Sequence, residues 1–154
     1  MPSAAPAVSA TVHVDAPAAQ VYALITDLDV LTDLAAETTA MRWRRGTAAT
    51  PGAVFAGKNR NGRRTWTTTC TVTAATPGRV FAFDVTSFGV PVAHWRYEIL
   101  EADAGCRVTE SAWDRRPRWF RGVAERATGV RNRSGANADH IQATLQRLKE
   151  RAER

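Results

Sequence analysis

Residues 134–154, SGANADHIQATLQRLKERAER, set the hardest condition on any fold this chain adopts. Ala138, Ile141, Leu145, Leu148 and Ala152 recur at spacings of three and four, which places them on one face of a helix. Gln142, Gln146, Arg147, Lys149 and Glu150 fall elsewhere and face water. Asp139 lies toward the start and Lys149, Arg151 and Arg154 toward the end, as the helix dipole favours. At 1.5 Å per residue the helix is roughly 25–30 Å long. A one-sided helix of that length needs a broad apolar surface, and the rest of the chain must provide it.

From Ala40 the apolar period changes to two. Met41, Trp43 and Arg45 alternate with Arg42 and Arg44, and Phe55 shares a side with Gly57. Asn61-Gly62 is a strong hairpin signal. Over 64–74, Trp66, Thr68, Cys70, Val72 and Ala74 take one face, while five threonines at 65, 67, 69, 71 and 73 take the other. That pattern suits a sheet with one packed and one solvated face. Phe81, Phe83 and Val85 then oppose Ala82 and Asp84; Trp95, Tyr97 and Ile99 oppose His94, Arg96 and Glu98. In the last strand Cys106, Val108, Glu110 and Ala112 oppose Arg107, Thr109, Ser111 and Trp113.

Before this meander, Thr11–Val14 reads as a first strand. Pro17 suits the first turn of a helix carrying Val21, Leu24, Ile25 and Leu28. Asp27 and Asp29 offer a break and a cap, and Val30, Leu31 and Leu34 predict a second short helix ending near Thr38. After the meander, Trp119, Phe120, Val123 and Ala127 fit a short helix that Gly129 can end. Helices gathered on one face of an antiparallel sheet make an α+β domain. At 154 residues the chain is expected to form one domain over 10–154, after a flexible terminus at 1–9.

Several function classes are disfavoured. No run of about 18 apolar residues exists to span a membrane. The first residues lack the charged and apolar regions of a signal peptide, so a cytoplasmic protein is expected. Cys70 and Cys106 form no CxxC pattern and read as buried thiols rather than a disulfide. His13, His94 and His140 share no metal-ligand spacing, and neither a metal nor a cofactor is expected. The net charge of +6 comes mostly from arginine and reads chiefly as a solvated surface. The mixture of cations and rings over 115–121 leaves an anionic membrane or nucleic acid as partners to weigh against a lid, with Trp119 and Phe120 packed over a cavity.

Taken in order, four stretches resemble the START-related SRPBCC superfamily, whose bacterial members include polyketide cyclase/dehydrase-like proteins. VDAPAAQVYALITDLD resembles its opening, GRRTWTTTCTVTAATPGRVFAFDV its central hairpin, HWRYEIL with GCRVTESAWD its last two strands, and NADHIQATLQRLKERAE its closing helix. The resemblance implies a helix-grip fold: a seven-stranded antiparallel sheet wrapped around the long C-terminal helix, with two short helices after strand 1. It also implies a cavity between sheet and helix that holds a lipid, polyketide or other apolar molecule. None of the four stretches is a catalytic signature.

Strand alternation points Trp43, Phe55, Trp66, Phe81, Phe83, Trp95 and Tyr97 inward, as pocket wall or as plain core. Thr68 offers an inward hydroxyl or merely bonds locally, and Ile141 belongs to the helix stripe. Asn137 either caps the closing helix or looks into the pocket mouth. Glu110 is the most pointed candidate, because a carboxyl on an apolar face is desolvated and its pKa rises. It is read as a proton-transfer group or ligand anchor, or else as a rim residue paired with an arginine. Two functions follow, binding of an apolar small molecule and, alternatively, a cyclase, aromatase or dehydratase reaction using Glu110. A third is a regulatory or nucleic-acid interaction protein acting through its basic surface.

Overall fold

The computed structural model describes residues 4–154. Residues 1–3 of the expected flexible terminus lie outside that range. Among the described residues the chain runs β1 (Val8–Val14), α1 (Ala18–Ile25), α2 (Leu28–Leu34), β2 (Thr38–Arg45), β3 (Val54–Asn61), β4 (Arg64–Thr76), β5 (Val80–Ser87), β6 (Val90–Ala102), β7 (Gly105–Asp114), α3 (Arg118–Thr128) and α4 (Arg133–Ala152). The strands form one seven-stranded sheet in the order β1-β7-β6-β5-β4-β3-β2. Every pairing is antiparallel. This is the α+β helix-grip arrangement.

The helix pair forms as the sequence predicts. The Asp27 carboxylate accepts hydrogen bonds from the amides of Asp29 at 3.0 Å and Val30 at 3.3 Å, capping α2 directly after α1 ends. Three boundaries differ. α1 ends at Ile25, so Leu28, read as part of the first helix, opens α2 after the Asp27 cap. β1 begins at Val8 rather than Thr11, because Val8 already pairs with Ala112. α2 ends at Leu34, and β2 opens at Thr38, whose partner is Asn59; the β-branched Thr38 and Thr39 suit strand geometry better than a helix end.

The five outward threonines of β4, at 65, 67, 69, 71 and 73, are all exposed, as alternation requires. That alternation breaks once. A bulge between Val72 and Ala74 shifts the register, so Ala75 rather than Ala74 packs on the core opposite Phe81.

α4 does not cover the whole aromatic face. It packs on β1 and β7 and touches α1 and α2. Leu145, Leu148 and Ala152, in its C-terminal half, are buried with Val14, Val21, Ile25 and Val108 in the core. Its N-terminal half passes over ground that no side chain fills. α3 bridges the open side. The Asn61 amide donates to the Thr128 carbonyl at 2.8 Å, and Arg64 Nε donates to the Arg126 carbonyl at 3.1 Å. Gly129 ends α3 at φ +74°, and Arg64 lies 3.0 Å from where a Cβ would stand.

Candidate functional site

Between the inner faces of β3–β7, the N-terminal half of α4 and α3 lies a half-open cavity of about 260 Å³. Pockets for small molecules run from about 300 to about 1,000 Å³, so this one is compact. α4 contributes Arg133, Asn137, His140, Ile141 and Thr144 to its wall. Its cap explains the placement of Asn137. Asn132, one residue before the helix, accepts from the Gly135 amide at 3.1 Å, which leaves Asn137 within the helix and facing the cavity.

Of the residues read as pocket wall, Phe55, Trp66, Thr68, Phe83, Trp95, Tyr97, Asn137 and Ile141 line the cavity. Trp43 and Phe81 do not. Each packs against a lining ring instead: Trp43 meets Phe55 edge-on at 5.5 Å, and Phe81 meets Phe83 at 5.3 Å. Phe55 and Phe83 are themselves edge-on at 5.2 Å, so Trp43, Phe55, Phe83 and Phe81 form one unbroken chain of ring contacts along that part of the wall. Phe120 lines the cavity from α3, but Trp119 is 69% exposed. One helical step of about 100° separates the two rings, and the inward stripe of α3 is Phe120, Ala124 and Thr128.

Glu110 lines the cavity and is 3% exposed. No arginine pairs with it; the nearby Arg116 is bound to Asp114 at 2.9 Å. Glu110 Oε1 is buried with no hydrogen-bond partner among the described residues. Its cross-strand neighbour is Tyr97, directly opposite on β6 and facing the same way. Burial pushes the Glu110 carboxyl up to about 8, and the Tyr97 hydroxyl only partly opposes that rise. Burial, and then the Glu110 charge, raise the Tyr97 phenol well above its usual value. At neutral pH the pair is therefore a carboxylic acid beside a phenol.

A second polar group occupies the α2–β2 end. Glu37 Oε1 accepts from Arg133 Nη1 at 2.5 Å and lies 3.5 Å from His140 Nδ1. Glu37 Oε2 is buried without a partner among the described residues. Nearby, Thr38 donates to Asn59 Oδ1 at 3.0 Å, and Asn59 Nδ2 donates to Thr68 Oγ1 at 3.1 Å. Sequence reasoning missed Asn59 and Glu37. Asn59 was readable, since it continues the Phe55 and Gly57 alternation. Glu37 falls in the joint between helix and strand, where no periodicity applies.

Outside the cavity, His94 is on the outer sheet face but buried, bonded to Asp84 at 2.7 Å and tilted against Trp113 with ring centroids 5.3 Å apart. Cys70 and Cys106 are free and buried. Among the described residues no group of three or more His, Cys, Asp or Glu is placed to hold a metal ion. Among the described residues no helix is long and apolar enough to cross a membrane.

A family profile described as "Polyketide cyclase / dehydrase and lipid transport" matches residues 5–153. The chain belongs to that family. Solved structures agree on the fold of this polyketide cyclase/dehydrase family member. The Polyketide_cyc-like protein Cgl2372 of Corynebacterium glutamicum is 26% identical, with a TM-score of 0.63, over 97% of this chain and 91% of that one. CV1439 of Chromobacterium violaceum is 12% identical, with a TM-score of 0.71 and 96% of both chains covered. The di-domain aromatase/cyclase StfQ of the steffimycin biosynthetic pathway is 11% identical at a TM-score of 0.73, with 94% of this chain matching 49% of that one. Comparison with curated proteins found no match.

Proposed function

We propose that this family member binds a small, largely apolar molecule carrying hydrogen-bond donors in the cavity between the sheet and the N-terminal half of α4. The observation that carries this reading is an unfilled, ring-walled cavity with two buried carboxyl oxygens, Glu37 Oε2 and Glu110 Oε1, left without partners. A buried unpartnered acceptor is costly, and a ligand hydroxyl or amine relieves it. An apolar cavity of about 150 Å³ takes one benzene, so about 260 Å³ suits roughly two fused rings, with any remainder extending toward the mouth. The two free thiols fit a reducing compartment, and we place the protein in the cytoplasm.

The test is a titration with 2-naphthol and with naphthalene, followed by tryptophan fluorescence. The hydroxylated ring should bind roughly tenfold more tightly, the worth of one hydrogen bond to a buried acceptor. Trp66→Ala and Tyr97→Phe should both weaken it while the thermal melt survives. Folded protein that binds neither compound would sink the proposal.

The Glu110–Tyr97 pair favours a second reading, a cyclase or dehydratase in which the cavity holds a flexible chain folded. In a dehydration, Glu110 can hand its proton to a departing hydroxyl, which leaves as water, and its carboxylate then takes a proton from the neighbouring carbon as the C=C bond forms. StfQ, named as an aromatase/cyclase, shares the fold and lends this reading background support.

A further inference from the structure

Segment 115–133 contains seven arginines and one glutamate, so it alone accounts for the whole molecule's net charge of +6. Not all of that charge is free. Arg116 is paired with Asp114, Arg133 with Glu37, and Arg115 lies 3.5 Å from Asp84. Arg118, Arg121, Arg126 and Arg131 are exposed and make no salt bridge among the described residues.

The same segment carries exposed apolar surface. Trp119 is 69% exposed and Val123 54%, and they lie one turn apart on a flank of α3 that Arg126 continues at i+7. Across the cavity mouth stands Phe88, 93% exposed at the tip of the β5–β6 hairpin. Phe88 and Val123 both line the cavity while facing outward, so they mark its opening. Phe88 also takes φ +52° next to Gly89 at φ +76°. Both central residues of that two-residue turn have positive φ, a pair of positions where Asn-Gly is usual and a bulky ring is strained. A large ring held in a costly conformation, in full contact with water, is unexplained by packing within this chain.

We propose that the cavity mouth is a docking face for an anionic lipid surface. Phe88, Trp119 and Val123 enter the acyl boundary, and the unpaired arginines of α3 meet the headgroups. Tryptophan prefers that interface, and each arginine near an anionic leaflet strengthens binding about fivefold. Neither feature alone is enough, since scattered exposed apolar residues are ordinary and arginines on a surface are solvated. Their coincidence around the opening of an apolar cavity favours a membrane over nucleic acid, which has no use for Val123 and Phe88 beside a hydrophobic hole. The surface is independent of which molecule the cavity holds.

The experiment is flotation of the full chain with vesicles of phosphatidylcholine alone and of phosphatidylcholine mixed with phosphatidylglycerol. Binding is expected only to the mixed vesicles, with a blue shift of fluorescence that Trp119→Ser removes. Phe88→Ser and Trp119→Ser each should weaken binding, as should Arg118→Gln with Arg121→Gln, the last by roughly tenfold or more. Because the two apolar variants lie on different elements, misfolding of one leaves the other as the test. Leu100→Ser, at an equally exposed apolar site at the far end of β6, should change nothing. No flotation with the mixed vesicles, equal flotation with both kinds, or flotation indifferent to these substitutions overturns the proposal. So does binding to a single-stranded RNA that these substitutions weaken while vesicles are ignored.

Discussion

Glu110 holds its proton at pH 7 because burial has raised its carboxyl to about 8 from an ordinary 4.5. Between those two values the native state keeps a proton that the unfolded chain releases. Stability therefore falls as pH rises through that window, by roughly 1.4 kcal/mol per unit, and levels off above it. Glu110→Gln keeps the shape without the titration. Denaturant midpoints measured from pH 5 to pH 9 should slope downward for the natural chain and lie nearly flat for the variant. Parallel slopes would mean that Glu110 is ionised in the folded protein. The same variant separates the two functional readings. As a binding protein it should still hold 2-naphthol, and as a proton-transfer enzyme it should lose kcat with little change in KM. The inward position of Glu110 was legible because strict alternation with Cys106, Val108 and Ala112 fixes its face. Among the described residues no arginine pairs with Glu110, and Asp114 holds the nearby Arg116. Burial alone would raise Asp114; the Arg116 hydrogen bonds and charge more than offset it and hold the carboxyl below its usual range.

At the level of elements, α4 divides into two working lengths. Leu148 is fully buried in the core, whereas Asn137 borders the cavity and is only half-buried. Leu148→Ala should cost about 2–5 kcal/mol in chemical denaturation and leave the affinity of the folded fraction unchanged. Asn137→Ala should do the reverse, shifting 2-naphthol affinity while stability moves by less than about 0.5 kcal/mol. If both substitutions cost stability alone, the cavity wall has been misplaced on this helix. The existence and ends of α4 could be read from its apolar stripe. α3 was also legible, from four apolar residues and a terminal glycine, but its orientation was not. Two adjacent rings compete for the inward position, and only contact with the sheet decides that Phe120 takes it.

For the molecule as a whole, element order and the two faces of the sheet were open to reading, because strand alternation and turn residues are local. What the helix leaves uncovered was not. Strand alternation says which side is apolar but not which strands a helix rests on. That follows from β1 pairing with β7, which brings the first strand under α4. The bulge at 72–74 was hidden for a similar reason, since a skipped residue shows only against a partner strand. The division of α4 bears on how such chains diverge. Substitutions at 133, 137, 140 and 144 face the cavity, and those at 145, 148 and 152 face the core. A lineage can therefore change the lining of its cavity without passing through ancestors that fail to fold. Solved neighbours at 11–16% identity that keep TM-scores of 0.64–0.73 show how far sequence can change under this fold.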